Sequence, residues 1–163
     1  MKTSNPDRWV ELTSQVISPQ QLTDFVTTPR AGAVVLFLGT VREWTQARQT
    51  ASLEYEAYTN MALRVMQDLV EETCQRWPIL KAAVVHRLGY LGHCETSVAI
   101  AVSSPHRHDA FSAGQYLIDQ LKVRVPIWKK EHWKDGTSEW IHPGHSTNDP
   151  EPGRESSKPT SSK

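Results

Sequence analysis

Several things that would announce a function are scarce or missing in this sequence. Of 163 residues only two are cysteine, Cys74 and Cys94. Two thiols do not make a disulfide framework, so a reducing cytoplasm is the expected compartment. No stretch approaches the roughly 18 apolar residues of a membrane span. The opening Met1-Lys2-Thr3-Ser4-Asn5-Pro6-Asp7 lacks the apolar run of a signal peptide. Charge of neither sign dominates, because 18 Lys and Arg balance 18 Asp and Glu. Zero net charge excludes a protein that holds nucleic acid or an anionic membrane through a global positive field. Any anion must be recognised by a local cluster. Also missing are CxxC, HExxH, a phosphate-loop glycine pattern and a nucleophile elbow. Seven histidines are present, with His106-x-His108 and His142-x-x-His145 as close pairs. Two residues apart on a helix, His106 and His108 point to different faces, so no metal site is expected.

The residues that are present divide into a body and a tail. From Ser146 to Lys163 no residue is apolar. Such a segment cannot bury enough surface to offset the entropy of ordering it. Residues 146–163 are read as a disordered tail and 1–145 as a single domain. Within the body, Ser18-Pro19-Gln20-Gln21 is a helix start, with Ser18 as cap. Ala33 to Leu38 is six apolar residues in a row, which suits a strand buried on both faces. A polar loop is expected from Gly39-Thr40 to about Thr50. Leu53 to Tyr58 alternates as a half-buried strand does. From Asn60 to Trp77 the period becomes helical, with Ala62, Val65, Met66, Leu69, Val70 and Thr73 on one stripe. Ala82 to Leu88 and Ser97 to Val102 read as strands. A second long helix begins near Pro105 and ends by Arg124, because Pro126 disfavours helical geometry at Val125. Ile127 to Trp133 and Ser138 to Ile141 flank an Asp135-Gly136 hairpin turn. The class is α+β, with antiparallel pairs among strands close in sequence.

Three constellations stand out. Lys122 to Lys134 carries Lys122, Arg124, Lys129, Lys130 and Lys134 against Glu131 alone. Its apolar neighbours, among them Val125, Ile127 and Trp128, imply partial burial, and half-buried lysines shift their pKa readily. A solvated helix end is the plainer alternative on composition alone. His106-Arg107 sits at a helix N-terminus, where free N–H groups favour a phosphate or carboxylate. Arg42 follows the buried strand in a loop, and loops at strand ends often carry function. Cys74 lies at the edge of the helical stripe and reads as core.

Together these pieces resemble the catalytic (large) subunit family of molybdopterin synthase. The matching stretches are Phe37-Leu38-Gly39-Thr40-Val41-Arg42, Leu53-Glu54-Tyr55-Glu56-Ala57-Tyr58 with Met61-Ala62, and Val85-His86-Arg87-Leu88-Gly89. Ser104-Pro105-His106-Arg107 with Ala110-Phe111 follows, and then Leu121-Lys122-Val123-Arg124-Val125-Pro126-Ile127-Trp128-Lys129-Lys130-Glu131. They cover about residues 33 to 141. The resemblance implies an α/β hammerhead-type fold with a mostly antiparallel sheet and two long helices. It implies a homodimeric core in a heterotetramer with a small ubiquitin-like sulfur-carrier subunit, whose thiocarboxylated C-terminus donates sulfur. The substrate implied is cyclic pyranopterin monophosphate, converted to the dithiolene of molybdopterin, with no resident cofactor. Position by position, Lys122 falls on the essential catalytic lysine and Lys129 on a second active-site lysine. Arg42, His106 and Arg107 fall on substrate-binding positions, with Thr40, Val41, Lys130 and Glu131 beside them. The family's loop after the Arg42 position often holds Asn-His and a Gly. Here it reads Glu43-Trp44-Thr45-Gln46-Ala47-Arg48-Gln49. Two other classes are alternatives: a binding module without catalysis, and a metal-dependent hydrolase using His106 and His108.

Overall fold

The computed structural model describes residues 1–141. The proposed tail, the boundary at 145 and the pair His142 and His145 lie outside them. The chain runs β1 (Lys2–Ser4), β2 (Arg8–Thr13), α1 (Pro19–Val26), β3 (Ala33–Thr40), β4 (Trp44–Thr45), β5 (Arg48–Ala57), α2 (Thr59–Arg76), β6 (Lys81–Arg87), β7 (Gly89–Leu91), β8 (Thr96–Ser104), α3 (Arg107–Arg124), β9 (Ile127–Trp133) and β10 (Ser138–Ile141). Five strands form one sheet in the order β1-β2-β6-β8-β3. A second sheet has the order β10-β9-β5-β4, with β7 also pairing with β5. The β2–β6 pairing is parallel. The others among the described residues are antiparallel.

The helices form where the sequence signals lie. Ser18 caps α1 by accepting from the Gln21 amide, and Pro19 opens it. In α2 the residues Ala62, Met66, Leu69, Val70 and Thr73 are buried, as their helical spacing requires. α3 stops at Val125, whose backbone is extended (φ −81°, ψ 126°) ahead of Pro126.

These helices cover the two faces of the first sheet. Val84, Ile100 and Val102 point to α2 and α3, joining Met66, Leu69, Val70, Leu117 and Leu121. Their neighbours Ala83, Val85, Ala99 and Ala101 point the other way, to Leu22 and Val26 of α1. Alternate residues of β6 and β8 are thus buried on opposite faces. Each fully buried Leu or Met contributes about 1.5–3 kcal/mol of transfer free energy.

Two expectations need correction. The strands buried on both faces are β6 and β8, whereas β3 is half-buried, with Val34 exposed. β3 lies at the end of its sheet, and an apolar run of six has no feature that separates an edge strand from a central one. The segment from 40 to 50 is not all loop. It holds β4, a turn at Gln46 and Ala47, and the start of β5. Between β6 and β8 the chain adds β7, which pairs with β5 through Leu53↔Leu91.

One buried titratable group lies off the basic cluster. His86 on β6 is 4% exposed, its Nδ1 lies 3.0 Å from the Arg87 carbonyl oxygen, and its ring meets Tyr55 edge-on. Burial pushes its pKa down from 6.5 to about 4. Above pH 6.5 the imidazole is neutral both folded and unfolded, and contributes no pH dependence. Between pH 6.5 and 4 the unfolded chain takes up a proton that the folded one refuses. Stability is therefore lost as pH falls through that window, at about 1.4 kcal/mol per pH unit and up to ~3 kcal/mol. His86→Gln should flatten this part of the stability profile, measured by urea unfolding at several pH values between 7 and 4.5. Equal slopes in the two proteins would contradict the assignment.

Candidate functional site

The cluster is assembled by the ends of three elements. Lys122 stands exposed in the last turn of α3. Three residues later the chain turns at Val125 and Pro126 into β9, which carries Lys129, Lys130 and Glu131. Arg42 follows β3 and is exposed. Lys129 is the meeting point. Its side chain is 26% exposed, and Glu131 Oε2 lies 3.6 Å from its Nζ. Burial is the first cause that lowers the Lys129 pKa below the usual lysine range. Glu131 opposes this, and the positive charges of Arg42 and Lys122 push in the same direction as burial. The action of both charges on Lys129 places Arg42, Lys122 and Lys129 in one neighbourhood.

Strand alternation decides which β9 residues join them. Lys129 and Glu131 share one face of the strand. Lys130 is on the other, where it pairs with Trp140 in register and its Nζ lies 5.4 Å from the Trp140 ring centroid. Sequence adjacency had placed Lys130 beside Lys129 in the same site, and the pleat separates them. Glu131 is not a wall of an open site either. It is 1% exposed, and its Oε1 accepts from the hydroxyls of Thr45 and Thr50, each at 2.6 Å.

Val41 is also buried, packed with Leu53, Leu91 and Tyr55. Its side chain is an anchor and its neighbour Arg42 is the exposed group. The backbone of Val41 is held twice: its N–H donates to the Glu95 carbonyl, and its carbonyl accepts from Cys94 N–H. The loop doing this is itself braced. Arg87 donates to Glu95 at 2.9 Å, and Glu95 accepts from the Gly92 amide. These bonds hold the Glu95 carboxyl below the usual range, the Gly92 amide first and Arg87 second. Thr40 is exposed at the end of β3, where the register with β8 shifts. Gly39 is needed just before it, since a Cβ there would lie 2.6 Å from Val98 Cγ1.

Neither Thr45 nor Thr50 stands out in the sequence, because they sit in a polar stretch. The hairpin that brings them to Glu131 is visible only once β5 is seen to begin at Arg48. The same holds for Tyr55, whose phenol is pushed up chiefly by burial, with Ser97 as hydrogen-bond partner and Glu131 nearby. Of the cysteines, Cys74 is half-buried and its thiol is raised to about 11 by burial, as a core residue's would be.

His106 and Arg107 stand elsewhere. His106 is the N-cap of α3, Arg107 is its first residue, and both are exposed. Capping by the preceding serines does not occur. Ser103 and Ser104 are fully buried, and Ser104 donates to the Pro78 carbonyl. Sixteen residues of one continuous helix separate His106 from Lys122. At 1.5 Å per residue that is about 24 Å, more than one small substrate bridges. Among the described residues no group of three or more His, Cys, Asp and Glu gathers as a metal would require.

Comparison with known proteins shows the family. The model of the MoaE protein family matches residues 12–124. The molybdopterin synthase catalytic subunit of Staphylococcus carnosus is 48% identical over 135 residues, which are 83% of this chain and 88% of that one. A crystal structure of molybdopterin synthase from Staphylococcus aureus superposes with a TM-score of 0.77 at 41% identity, covering 85% of this chain and 98% of the other. At 16% identity, a complex of subunits 1 and 2 of molybdopterin-converting factor from Helicobacter pylori shares the fold, with a TM-score of 0.65 over 82% of this chain and 88% of that one. The chain belongs to the MoaE family.

Proposed function

We propose that this chain is the catalytic subunit of a molybdopterin synthase, and that its sulfur transfer is served by Lys122, Lys129 and Arg42. The observation that carries the site is the convergence of these three cations in a chain with no net charge. The substrate read from the family resemblance, cyclic pyranopterin monophosphate, is an anion. Arg42 and Lys129 would hold it by charge-assisted hydrogen bonds, which are shorter and stronger than neutral ones. Lys122, exposed at the helix end, would face the reacting atoms and move a proton or stabilise developing negative charge. The nucleophile is the thiocarboxylate of the small ubiquitin-like partner, so this chain needs no strong nucleophile and no resident cofactor of its own. The raised thiol of Cys74 is in keeping with that division of labour.

The length of α3 supports a homodimeric core. His106 and Arg107 are too far from Lys122 to serve the same bound molecule within one protomer. They would complete the site of the neighbouring subunit, within a hammerhead-type heterotetramer that works in the cytoplasm. Each dimer then offers two composite sites.

Reconstitution tests the proposal directly. The protein is mixed with the thiocarboxylated partner and cyclic pyranopterin monophosphate, and dithiolene product is assayed. Product is expected with this chain present and not without it. No product from a donor competent with another synthase would sink the reading.

A further inference from the structure

We propose that Thr45 and Thr50 are positioning residues for Lys129, acting through the carboxylate of Glu131. This rests on Lys129 belonging to the sulfur-transfer site. The two hydroxyls come from different strands, Thr45 from β4 and Thr50 from β5, and both are buried. Both donate to the same oxygen, Glu131 Oε1, at 2.6 Å, and they lie 3.1 Å from each other. A carboxylate gripped at one oxygen by two donors has its rotation fixed. Its second oxygen, Oε2, is buried, makes no hydrogen bond among the described residues and has Lys129 Nζ 3.6 Å away. That oxygen is thereby reserved for the ammonium group.

The backbone holds the grip in place. The hairpin closes at Gln46, which adopts a left-handed φ of 53°. Opposite β9 the register of β5 shifts between Thr50 and Ser52. Irregularities of this kind re-aim a side chain, here that of Thr50. The Thr50 amide donates to the Glu43 carbonyl, and the Thr50 carbonyl oxygen lies 2.7 Å from His93 Nε2. The segment from 43 to 50 is thus the part that supplies the grip.

Glu131 shares the strand of Lys129, Tyr55 is in register across β5, Arg42 enters after β3 and Lys122 from α3. Burial and the two cations favour a neutral amine, and Glu131 is the counterweight. If the carboxylate is freed to turn away, Lys129 loses its charge at a lower pH.

The test is Thr50→Val, with Thr50→Ser as the conservative control. The alkaline limb of the turnover profile should move down by about one pH unit in Thr50→Val and return in Thr50→Ser. A readout that does not depend on turnover is the NMR titration of 13C-labelled lysine side chains, with Lys129 assigned through Lys129→Arg. Its midpoint should fall by the same amount. An unmoved midpoint in folded Thr50→Val overturns the proposal, whatever happens to the rate. A lowered midpoint with an unmoved turnover profile upholds the grip on Lys129 and removes Lys129 from the site. Should Thr50→Val not fold, Thr45→Val carries the same test from the other hydroxyl.

Discussion

Lys122→Ala should lower kcat of the reconstituted synthase by about 10²–10⁴-fold, the range over which a positioned proton donor or acceptor acts. The thermal midpoint should stay nearly unchanged, because Lys122 is exposed in the last turn of α3 and supports no core contact. That separation of activity from stability is the diagnostic. Substitutions at the adjacent Leu121 or at Leu117, little more than a turn away, both buried, would lower both. Lys122→Arg sharpens the result. A guanidinium keeps the positive charge but does not release a proton at accessible pH. If charge alone is required, Arg restores much of the rate. If a proton must move, Arg is nearly as poor as Ala, and this second outcome is expected because, among the described residues of the cation cluster, Lys129 is half-buried and Glu131 buried while Lys122 is exposed. Binding of the thiocarboxylated partner, followed by fluorescence anisotropy, should survive both changes. Retention of more than about a tenth of wild-type kcat in Lys122→Ala would remove the residue from the catalytic role.

What could be read beforehand follows from which signals are local. The capping Ser18 with Pro19, the stripe from Ala62 to Thr73 and the stop before Pro126 are decided by residues within a turn or two, and each appears where expected. The half-burial of β3 is not legible locally, because strand order is a property of the whole sheet. Lys122 and Lys129 could be singled out as charges interleaved with apolar residues, and Arg42 by its place after a strand end. Lys130 was grouped with them by adjacency, although the pleat of β9 sends it to the opposite face. Glu131 was named, but its buried position depends on Thr45 and Thr50, 86 and 81 residues away. Contacts at that separation leave no periodic mark in a single sequence. The brace from Arg87 through Glu95 to the backbone of Val41 is hidden for the same reason, since it crosses from β6 to a loop and then to the end of β3.

Mixed dimers test the shared site. Arg107→Ala and Lys122→Ala affect opposite ends of one helix, so each variant on its own should be inactive or nearly so as a homodimer. A heterodimer of the two behaves differently if sites are composite. In one of its sites both defects meet. The other receives Lys122 from the Arg107→Ala chain and Arg107 from the Lys122→Ala chain, and is intact. Heterodimers isolated through two different affinity tags should therefore regain about half of wild-type turnover per dimer, as twofold symmetry requires of one good site in two. Unfractionated random mixtures should regain about a quarter, because half of their dimers are mixed. If each protomer instead built its site alone, every site in the heterodimer would carry one defect and no activity would return. The difference between half and none is far larger than any uncertainty in the assay. The same preparation also tests the dimer itself, since a chain that stays monomeric at assay concentration has no neighbour to lend His106 and Arg107. Placing both substitutions in one chain and pairing it with wild type closes the argument. That heterodimer has a single defect in each composite site and should be as inactive as the variant homodimers, whereas independent sites would leave it half active.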